Sequence, residues 1–575
     1  MKQLLLHVFI ILLFTGSYSS VNAQTPLEGV TEMGDTLVIK ATFNGNPVNA
    51  LNEWILWDHD GNFGNTPKHS VYKLLRNQRY PITTTVNVNG RTTLVADIPD
   101  LNNKPPQVGI MDDIHGNSPD VMFAGGPFTF SNIWFMHLNY STLTNSKWGM
   151  IANLEVDNTS NYIDGCYMEH VRAMFMKATT GKSNSIYFTN NFFNDGGKGG
   201  TNIWEGHFFN SENHTQDSIV FRNNTFINTP GILLNVRKNM TRYVEISNNT
   251  MINTCAYPYF TTFWIKGIIK NNLMWNVFSA GEEESERIKQ EPDALAYSMI
   301  NIDTLANEFT MTDEEWLDKE SERSLALSYN YYGWRDDIEA FWATDNEIHA
   351  PQWMNSRTEA MFADDINYPL LTEEKTFTKA DLGVPEFESS IKGTDDMVQF
   401  IKDVLWGDTP QPGFRYVWEP SGASIPNADL DWPPLEDLRL KNFVFRGDDG
   451  KPLGDLNWYP ETAVRWDMTG WNREGPYISV DETPSSNIEV QSYPNPFVNE
   501  TTIAFNLEEN QKVRISVLDC SGKNVAILYN ANKSSGFHSI KWDGIDNNGI
   551  KVSPGFYFVR IELNDGVITH KLLKH

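Results

Sequence analysis

The chain is poor in cysteine and has no long apolar run beyond its N-terminal segment. Its 575 residues include three cysteines, Cys166, Cys255 and Cys520, too few for a framework of disulfides. No stretch downstream of Phe14 approaches the ~20 consecutive apolar residues that a transmembrane helix needs. The composition therefore excludes a disulfide-stapled scaffold, and it predicts no membrane span once the N-terminal segment has been removed.

Basic side chains are also scarce, and the deficit is confined to one part of the chain. The net charge is -28, and residues 279–485 alone carry 44 acidic and 17 basic side chains. Residues 139–278, in contrast, carry 11 basic and 9 acidic side chains. An acidic surface of this size repels nucleic acids and anionic membranes, so we exclude both as partners. We interpret the charge as a solubilising surface, with cation binding as the alternative.

The N terminus has the pattern of a secretory signal peptide. Lys2 precedes an apolar stretch from Leu4 to Phe14, and Val21-Asn22-Ala23 provides small residues before a cleavage point. Such a segment is too short for a membrane anchor. We therefore predict that residues 1–23 are removed during export.

The last ninety residues, 486–575, alternate apolar runs with Gly and Asn turns, which predicts a small antiparallel sandwich. They contain Tyr493-Pro494-Asn495-Pro496-Phe497 near the start, a Gly555-Phe556-Tyr557 run and a terminal Lys571-Leu572-Leu573-Lys574. The segment resembles the C-terminal sorting domain of the bacterial type IX secretion system. The resemblance implies export through that machinery. It also implies a sorting signal that includes Tyr493, Pro494, Asn495, Pro496, Phe497, Gly555, Lys571 and Lys574.

A motif with paired asparagines recurs in the middle of the chain. Its four copies are 185–193, 218–226, 243–251 and 267–274, and their first asparagines, Asn190, Asn223, Asn248 and Asn271, lie 33, 25 and 23 residues apart. Repeats of this period mark solenoids. Each copy has apolar residues at alternate positions, which is typical of strands. We predict an all-β protein whose main body is a right-handed parallel β-helix, similar in architecture to the pectate-lyase-like superfamily.

The paired asparagines fit the corners of such a helix. A sharp corner needs a residue that tolerates positive φ, and stacked Asn side chains can hydrogen-bond along the column. We therefore interpret the four first asparagines as structural residues.

The pattern divides the chain into five segments. They are a signal peptide (1–23), an N-terminal cap (24–69), the β-helix (70–335, with an acidic insertion at 281–322), an acidic extension that packs on or follows the helix (336–485), and the Ig-like sorting domain (486–575). Within the extension, residues 394–406 have the apolar spacing of an amphipathic helix.

Long β-helix faces are suited to extended polysaccharides, so we looked for catalytic groups in the cationic middle of the chain. A polyuronate lyase needs a base with a lowered pKa and a cation beside the uronate. The candidate catalytic residues are Lys182, Arg237 and His207, and the candidate substrate-binding residues are Trp204, Glu205, Lys177 and Arg242. Calcium is a candidate ligand where Asp195 or Asp217 stack with neighbours, although such residues more often cap turns. No metal ligand set is assigned.

Two hypotheses remain open from the sequence. The first is a secreted polysaccharide lyase, and the second is a non-catalytic glycan-binding adhesin or surface scaffold. Both place the protein outside the cell, either in the medium or on the outer cell surface.

Overall fold

The computed structural model of the protein is built mainly from β-strands. It describes residues 31–59, 66–99, 103–139, 144–145, 149–169, 174–194, 207–211, 214–229, 231–237, 239–261, 263–283, 298–305, 320–344, 348–391, 393–405, 437–442, 444–459, 490–493, 497–507, 510–519, 524–547, 549–553, 555–563 and 567–574. The chain divides into two compact units, Met1–Arg473 and Glu474–His575. The expected signal peptide, 1–23, lies outside the described residues.

The first unit begins with short strands and one helix. These are β1 (Thr31–Met33), β2 (Thr36–Ile39), α1 (Ala50–Asp58), β3 (Val71–Leu74), β4 (Arg79–Ile82), β5 (Val86–Val95) and β6 (Gln107–Ile110). Parallel pairing joins β2 to β3, β3 to β5, and β4 to β6. The parallel pairing therefore starts at β2, in which Leu37 and Ile39 are fully buried. β1 pairs antiparallel with β2 and covers the edge that an open stack would expose.

Three strands recur in each repeat of the central part of the chain, and we call one such repeat a coil. The strands of this part are β7 (Val121–Ser131), β8 (Trp134–Asn139), β9 (Thr144–Asn145), β10 (Met150–Leu154), β11 (Ser160–Asp164), β12 (Tyr167–Glu169), β13 (Met174–Ala178), β14 (Ser185–Thr189), β15 (Phe192–Asn194), β16 (His207–Asn210), β17 (Gln216–Arg222), β18 (Thr225–Thr229), β19 (Leu234–Arg237), β20 (Thr241–Ser247), β21 (Thr250–Thr254), β22 (Tyr259–Thr261), β23 (Trp264–Lys270), β24 (Leu273–Trp275), β25 (Glu282–Glu283), β26 (Ser298–Ile300), β27 (Ser324–Ser328) and β28 (Tyr331–Gly333). Of these, β9, β25 and β26 lie outside the three recurring strands.

Strands that are equivalent in successive coils pair in parallel and form three ladders. The first ladder contains β10, β13, β16, β19 and β22. The second ladder contains β11, β14, β17, β20, β23 and β27. The third ladder contains β8, β12, β15, β18, β21, β24 and β28. The register places Ser185 opposite Ser218 and Ser218 opposite Tyr243, which confirms the alignment of the sequence repeats.

Each sharp corner between the second and third ladders contains one residue with positive φ. The first asparagines of the repeats, Asn190, Asn223, Asn248 and Asn271, have φ between 53° and 58°. The same corner holds Gly165 in the preceding coil and Tyr329 in the last one, with φ of 63° and 53°. The expectation that the first asparagines supply positive φ at a corner is confirmed.

The second asparagine of each pair makes the hydrogen-bonded column. The side chain of Asn224 accepts bonds from the backbone N–H and the Nδ2 of Asn191, both at 3.0 Å, and Asn249 accepts the equivalent bonds from Asn224. Asn272 and Asn330 continue the column, and all five side chains are fully buried. The sequence interpretation gave both properties to the pair and did not divide them between its two members. The structure divides them because the first side chain turns away from the column, whereas the second points along it.

The extension after β28 contains most of the helices. Its elements are α2 (Asp336–Thr344), β29 (Ile348–His349), β30 (Gln352–Met354), α3 (Ser356–Phe362), β31 (Leu371–Glu374), α4 (Lys379–Leu382), α5 (Thr394–Phe400), a π-helical turn (Ile401–Leu405) and a 3-10 turn (Leu456–Trp458). β31 pairs in parallel with β27, so the second ladder continues beyond residue 335. Within the described ranges, every helix is too short or too polar to cross a membrane.

Helix α5 confirms the amphipathic pattern that was found at 394–406. Met397, Phe400 and Ile401 are buried in the main core. At the start of the helix, Asn253 donates a hydrogen bond from Nδ2 to Thr394 Oγ1 at 2.9 Å. The helix therefore begins against the corner that ends the third-ladder strand β21.

A segment that we name the C-terminal strap, residues 437–442 and 444–459, covers the outer face of the third ladder. That face is aromatic or aliphatic, and its buried side chains include Trp134, Tyr167, Phe192, Leu273 and Tyr331. The strap places five apolar side chains and one tyrosine against them, namely Leu438, Leu440, Phe445, Leu453, Trp458 and Tyr459. The two sets form a second core outside the coil, because apolar outward positions are stable only when another layer removes them from water.

The strap is also held by hydrogen bonds to buried side chains of the ladder. Thr225 donates to Asp455 Oδ2 at 2.9 Å, and the Asp455 backbone N–H donates to Thr250 Oγ1 at 2.9 Å. Trp458 Nε1 donates to Thr225 at 2.8 Å. Burial is the largest influence on Asp455 and raises its pKa to about 7, although the hydrogen bonds from Asn457 and Thr225 oppose this.

The second unit consists of two antiparallel sheets. One sheet contains β32 (Val490–Tyr493), β33 (Thr501–Leu507) and β36 (Gly536–Trp542), and the other contains β34 (Gln511–Asp519), β35 (Asn524–Lys533), β37 (Gly555–Glu562) and β38 (Val567–Lys574). Their inward residues, among them Phe505, Val517, Trp542 and Val559, form a separate core. The expected small antiparallel sandwich is confirmed.

Candidate functional site

The outer face of the second ladder remains accessible along its length. Its inward positions, such as Ile186, Phe188, Ile219 and Ile246, are fully or almost fully buried in the main core. The alternate positions form what we name the open face: Ser160, Tyr162, Asp164, Ser185, Tyr187, Thr189, Ser218, Val220, Arg222, Tyr243, Glu245, Ser247, Lys266, Ile268, Lys270, Ser324, Ala326 and Ser328. All of them except Val220 and Ser247 are partly or fully exposed.

Aromatic residues occupy the first part of the open face. Tyr162 and Tyr187 lie opposite each other in register, and their rings stack with centroids 4.9 Å apart and planes 7° apart. Val220 continues the same row in the next coil and is 3% exposed. Burial, followed by the nearby Tyr162 hydroxyl, raises the pKa of Tyr187. The row therefore begins with two stacked phenol rings and continues with a buried valine.

A charge pair at the centre of the open face is fully hydrogen-bonded. Arg222 donates to both carboxylate oxygens of Glu245, at 2.7 and 2.6 Å, in the bidentate geometry that makes such pairs strong. Ser247 and Tyr243 donate to the same carboxylate at 2.6 and 3.2 Å. Burial alone would raise the pKa of Glu245, but the bonds from Arg222 and the two hydroxyls outweigh it and lower the pKa. Burial and Glu245 raise the pKa of Tyr243 to about 12.

Two other charges on the open face, Asp164 and Lys270, also have partners, and Lys266 is exposed. Asp164 accepts hydrogen bonds from Thr189 Oγ1 and Asn190 Nδ2, at 2.8 and 2.7 Å. Lys270 Nζ lies 2.9 Å from Asp448 of the strap. The face therefore combines the edges of stacked aromatic rings, rows of hydroxyl groups and mostly paired charges, which suits a ligand that forms hydrogen bonds and packs against the ring edges.

The predicted histidine is buried in the first ladder. His207 is 7% exposed, its Nδ1 lies 3.2 Å from the Ile232 carbonyl, and its Nε2 lies 3.2 Å from Asn235 Nδ2. The pattern fits a ring that donates through Nδ1 and accepts through Nε2. Both nitrogens therefore take part in the packing of neighbouring coils.

The predicted cations are found in different places. Lys177 lies in β13 and is opposite Asn153 and Asn210. Lys182 lies in the connection between β13 and β14, where its Nζ is 3.9 Å from Asp157. Arg242, at the start of β20, forms an ion pair with Asp217, which was one of the two calcium candidates. Trp204, Glu205, Asp195 and the side chain of Arg237 lie outside the described part of the chain.

The structure describes part of the expected sorting signal. Phe497 is 1% exposed in the core of the second unit, and Gly555 in β37 pairs with Lys574 in β38. Lys574 is 4% exposed, and Lys571 is opposite Phe558 in the same sheet. Tyr493 ends β32, whereas Pro494, Asn495 and Pro496 are not among the described residues.

Sequence reasoning missed the open face, although its residues are regularly spaced. Tyr187, Val220 and Glu245 each lie three positions before the first asparagine of their repeat, and Arg222 and Lys270 lie one position before it. Because strand side chains alternate between faces, these offsets point outward whenever the apolar offsets point inward. The alignment of the repeats therefore indicates which residues form the open face.

Comparison with known proteins finds similarity in short segments. Residues 496–566 match the family described as FlgD Ig-like domain, in agreement with the antiparallel sheets of the second unit. Two solved structures from Porphyromonas gingivalis show likeness. Dimeric latent PorU is 22% identical with a TM-score of 0.14, over 15% of this chain and 9% of that chain. PorZ, a surface component of the type IX secretion system, is 21% identical with a TM-score of 0.12, over 15% of this chain and 11% of that chain. The matched regions thus span about a tenth of either protein. No curated protein matches the chain.

Proposed function

We propose that this is a secreted or cell-surface protein that binds an extended extracellular polysaccharide along the open face. In this proposal the three ladders wind as a right-handed parallel β-helix, and residues 486–575 act as a type IX sorting domain. The observation that carries the proposal is the contrast in covering: the strap buries the third ladder, whereas the open face keeps rings and hydroxyl groups accessible. An elongated row suits a chain-like ligand better than a small molecule, which needs a concave pocket.

The spacing of the coils supports a polymer as the ligand. Adjacent strands in a sheet lie about 4.8 Å apart, which is similar to the rise of one sugar unit in an extended chain. Rows of equivalent side chains, such as Ser160, Ser185 and Ser218, therefore recur at the interval at which hydroxyl groups of a polysaccharide recur. Tyrosine adds apolar area and a polar end at small entropic cost.

Affinity electrophoresis of residues 24–575 in gels that contain soluble polysaccharides tests the binding proposal. We expect retardation by at least one polymer, and a smaller retardation when Tyr187→Ala is introduced. Tyr368→Ala is the matched control, because Tyr368 is a partly exposed tyrosine of the extension. Equal mobility in every polymer gel and in a blank gel would refute the function.

Localisation is tested separately in a bacterium with an active type IX system. We expect the full chain to reach the outer surface or the medium, and a chain that ends at Asp481 to remain in the periplasm. Surface delivery of the shortened chain would contradict the sorting role, and it would leave the binding result unaffected.

A polyuronate lyase is the second candidate, favoured by the exposed Lys182 and by Lys177 in an outward column of the first ladder. Elimination creates a conjugated double bond that absorbs at ultraviolet wavelengths. Incubation with pectate, alginate and glycosaminoglycans would therefore give rising absorbance for a lyase and constant absorbance for a binding protein. Lys182→Ala should abolish the rise if Lys182 is the base.

A further inference from the structure

The charges of the open face bear on the kind of polysaccharide that it can bind. Basic residues are Arg222, Lys266 and Lys270, and acidic residues are Asp164 and Glu245. Arg222 is neutralised by Glu245, and Lys270 by Asp448 of the strap. Lys266 is exposed, but with Asp448 included the three basic side chains of the face are balanced by three acidic ones. The face thus differs from the chain as a whole, which has a net charge of -28, and also from a strongly cationic groove for polyanions.

The strand starts and connections beside the open face repeat this neutral pattern. Arg242 forms an ion pair with Asp217, and Lys182 lies 3.9 Å from Asp157. In each pair the carboxylate belongs to the preceding coil, so the pairs join neighbouring coils. A polyuronate would carry one carboxylate for each sugar unit. It would have to compete with these pairs, and each displaced aspartate or glutamate would then repel it.

Replacement of the Arg222–Glu245 pair by a ligand would be particularly unfavourable. Glu245 is 12% exposed at its side chain and receives hydrogen bonds from Arg222, Ser247 and Tyr243. If a uronate formed an ion pair with the Arg222 guanidinium, the largely buried Glu245 carboxylate would lose its strongest partner. Hydroxyl groups of a neutral sugar can instead bond to the exposed part of Arg222, 43% of its side chain, without breaking the pair.

We infer that the open face takes an uncharged, extended polysaccharide, aligned along the row of Tyr162, Tyr187, Val220 and Glu245 with one sugar unit for each coil. This inference rests on the proposed function and specifies its ligand class. Hydroxyl groups of the sugar and the exposed edges of the stacked Tyr162 and Tyr187 rings, rather than ion pairs, then supply the contacts. Binding should therefore depend little on salt, because screening acts on charges.

Isothermal titration of residues 24–575 with soluble xylan, glucomannan, polygalacturonate and alginate tests the inference. We expect binding to xylan or glucomannan that changes less than about twofold between low and high salt. Tyr187→Ala should weaken it about tenfold, while Tyr187→Phe, which keeps the ring, should weaken it less. Thermal melts of the variants verify that they fold.

Glu245→Gln provides a second test, in which binding of a charged polymer should be gained. It removes the negative partner of Arg222, so we expect new, salt-sensitive binding to polygalacturonate. Binding of the unmodified protein to polygalacturonate or alginate alone, lost at high salt, would overturn the ligand class and leave the proposed function intact. Binding to none of the four polymers, combined with equal mobility in every gel of the electrophoresis panel, would overturn both.

Discussion

The outer faces of the second and third ladders come from the same coils and yet differ in what covers them. Outward positions of the third ladder include Trp134, Tyr167, Phe192, Thr225, Thr250, Leu273 and Tyr331, and all are buried, the apolar ones in one core with the strap. Outward positions of the second ladder are mostly hydroxyl-bearing or charged, and they remain accessible. The inward residues therefore define the coil, while the outward residues determine whether a face needs a second layer. A binding function is therefore more readily sought on the face that needs no covering layer.

The largest expected effect is at the covered face. Trp458→Ala removes a side chain that is 1% exposed, packs near Phe192 and bonds to Thr225. Truncation of a buried aromatic residue costs about 3 to 5 kcal/mol, and chemical denaturation followed by circular dichroism measures it. Tyr187→Ala on the open face is the matched change and should cost less than about 1 kcal/mol. Similar losses for the two variants would break the distinction between the faces.

The next largest loss of stability is expected at the corner between the two faces. Asn249→Ala removes the acceptor for the Asn224 N–H, at 3.0 Å, and the donor to the Phe221 carbonyl, at 2.9 Å. Both groups are buried, so we expect a loss of about 3 kcal/mol. The same denaturation experiment measures it. A loss below about 1 kcal/mol would show that water or a shift of the backbone replaces the column.

The strap should respond to pH through Asp455. Its pKa is raised to about 7 in the folded state from an ordinary 3.8, so the folded protein binds the proton more tightly than the unfolded chain. The stabilisation is complete at pH below 3.8 and is lost as the pH rises through about 7. Between pH 5 and pH 8 we expect a fall of roughly 2 kcal/mol. Asp455→Asn should lack this component, and parallel pH profiles of the two proteins would contradict it.

Much of the architecture could be predicted from local patterns in the sequence. The spacing of Asn190, Asn223, Asn248 and Asn271 gave the coils, because a corner residue must recur once in every turn. The alternation within each repeat gave the inward positions. The turns and apolar runs after residue 486 gave an antiparallel sandwich for the same reason, since each strand is recognisable from its own residues.

Contacts that join distant parts of the chain could not be predicted in this way. Asp455 and Thr225 are 230 residues apart, and nothing in the strap sequence indicates which face it covers. The catalytic role of His207 stays a prediction, and its hydrogen bonds to Ile232 and Asn235 could not be predicted, because they depend on the register of β16 and β19. The open face, in contrast, can be predicted from the sequence, because its outward residues keep fixed positions within each repeat, as the inward residues do.

The smallest predicted effect separates the two asparagines of the corner. Asn248 has φ of 54°, and its side chain is outside the hydrogen-bonded column, whereas its neighbour Asn249 is within it. Asn248→Gly should change stability by less than about 0.5 kcal/mol, because glycine adopts positive φ without strain. Asn248→Ala should cost about 1 kcal/mol, since alanine adopts positive φ less readily than asparagine. Thermal melts of both variants beside Asn249→Ala measure the order. If Ala and Gly at 248 were equally costly, the role of the first asparagine would lie in its side chain, and the division of the pair would be wrong.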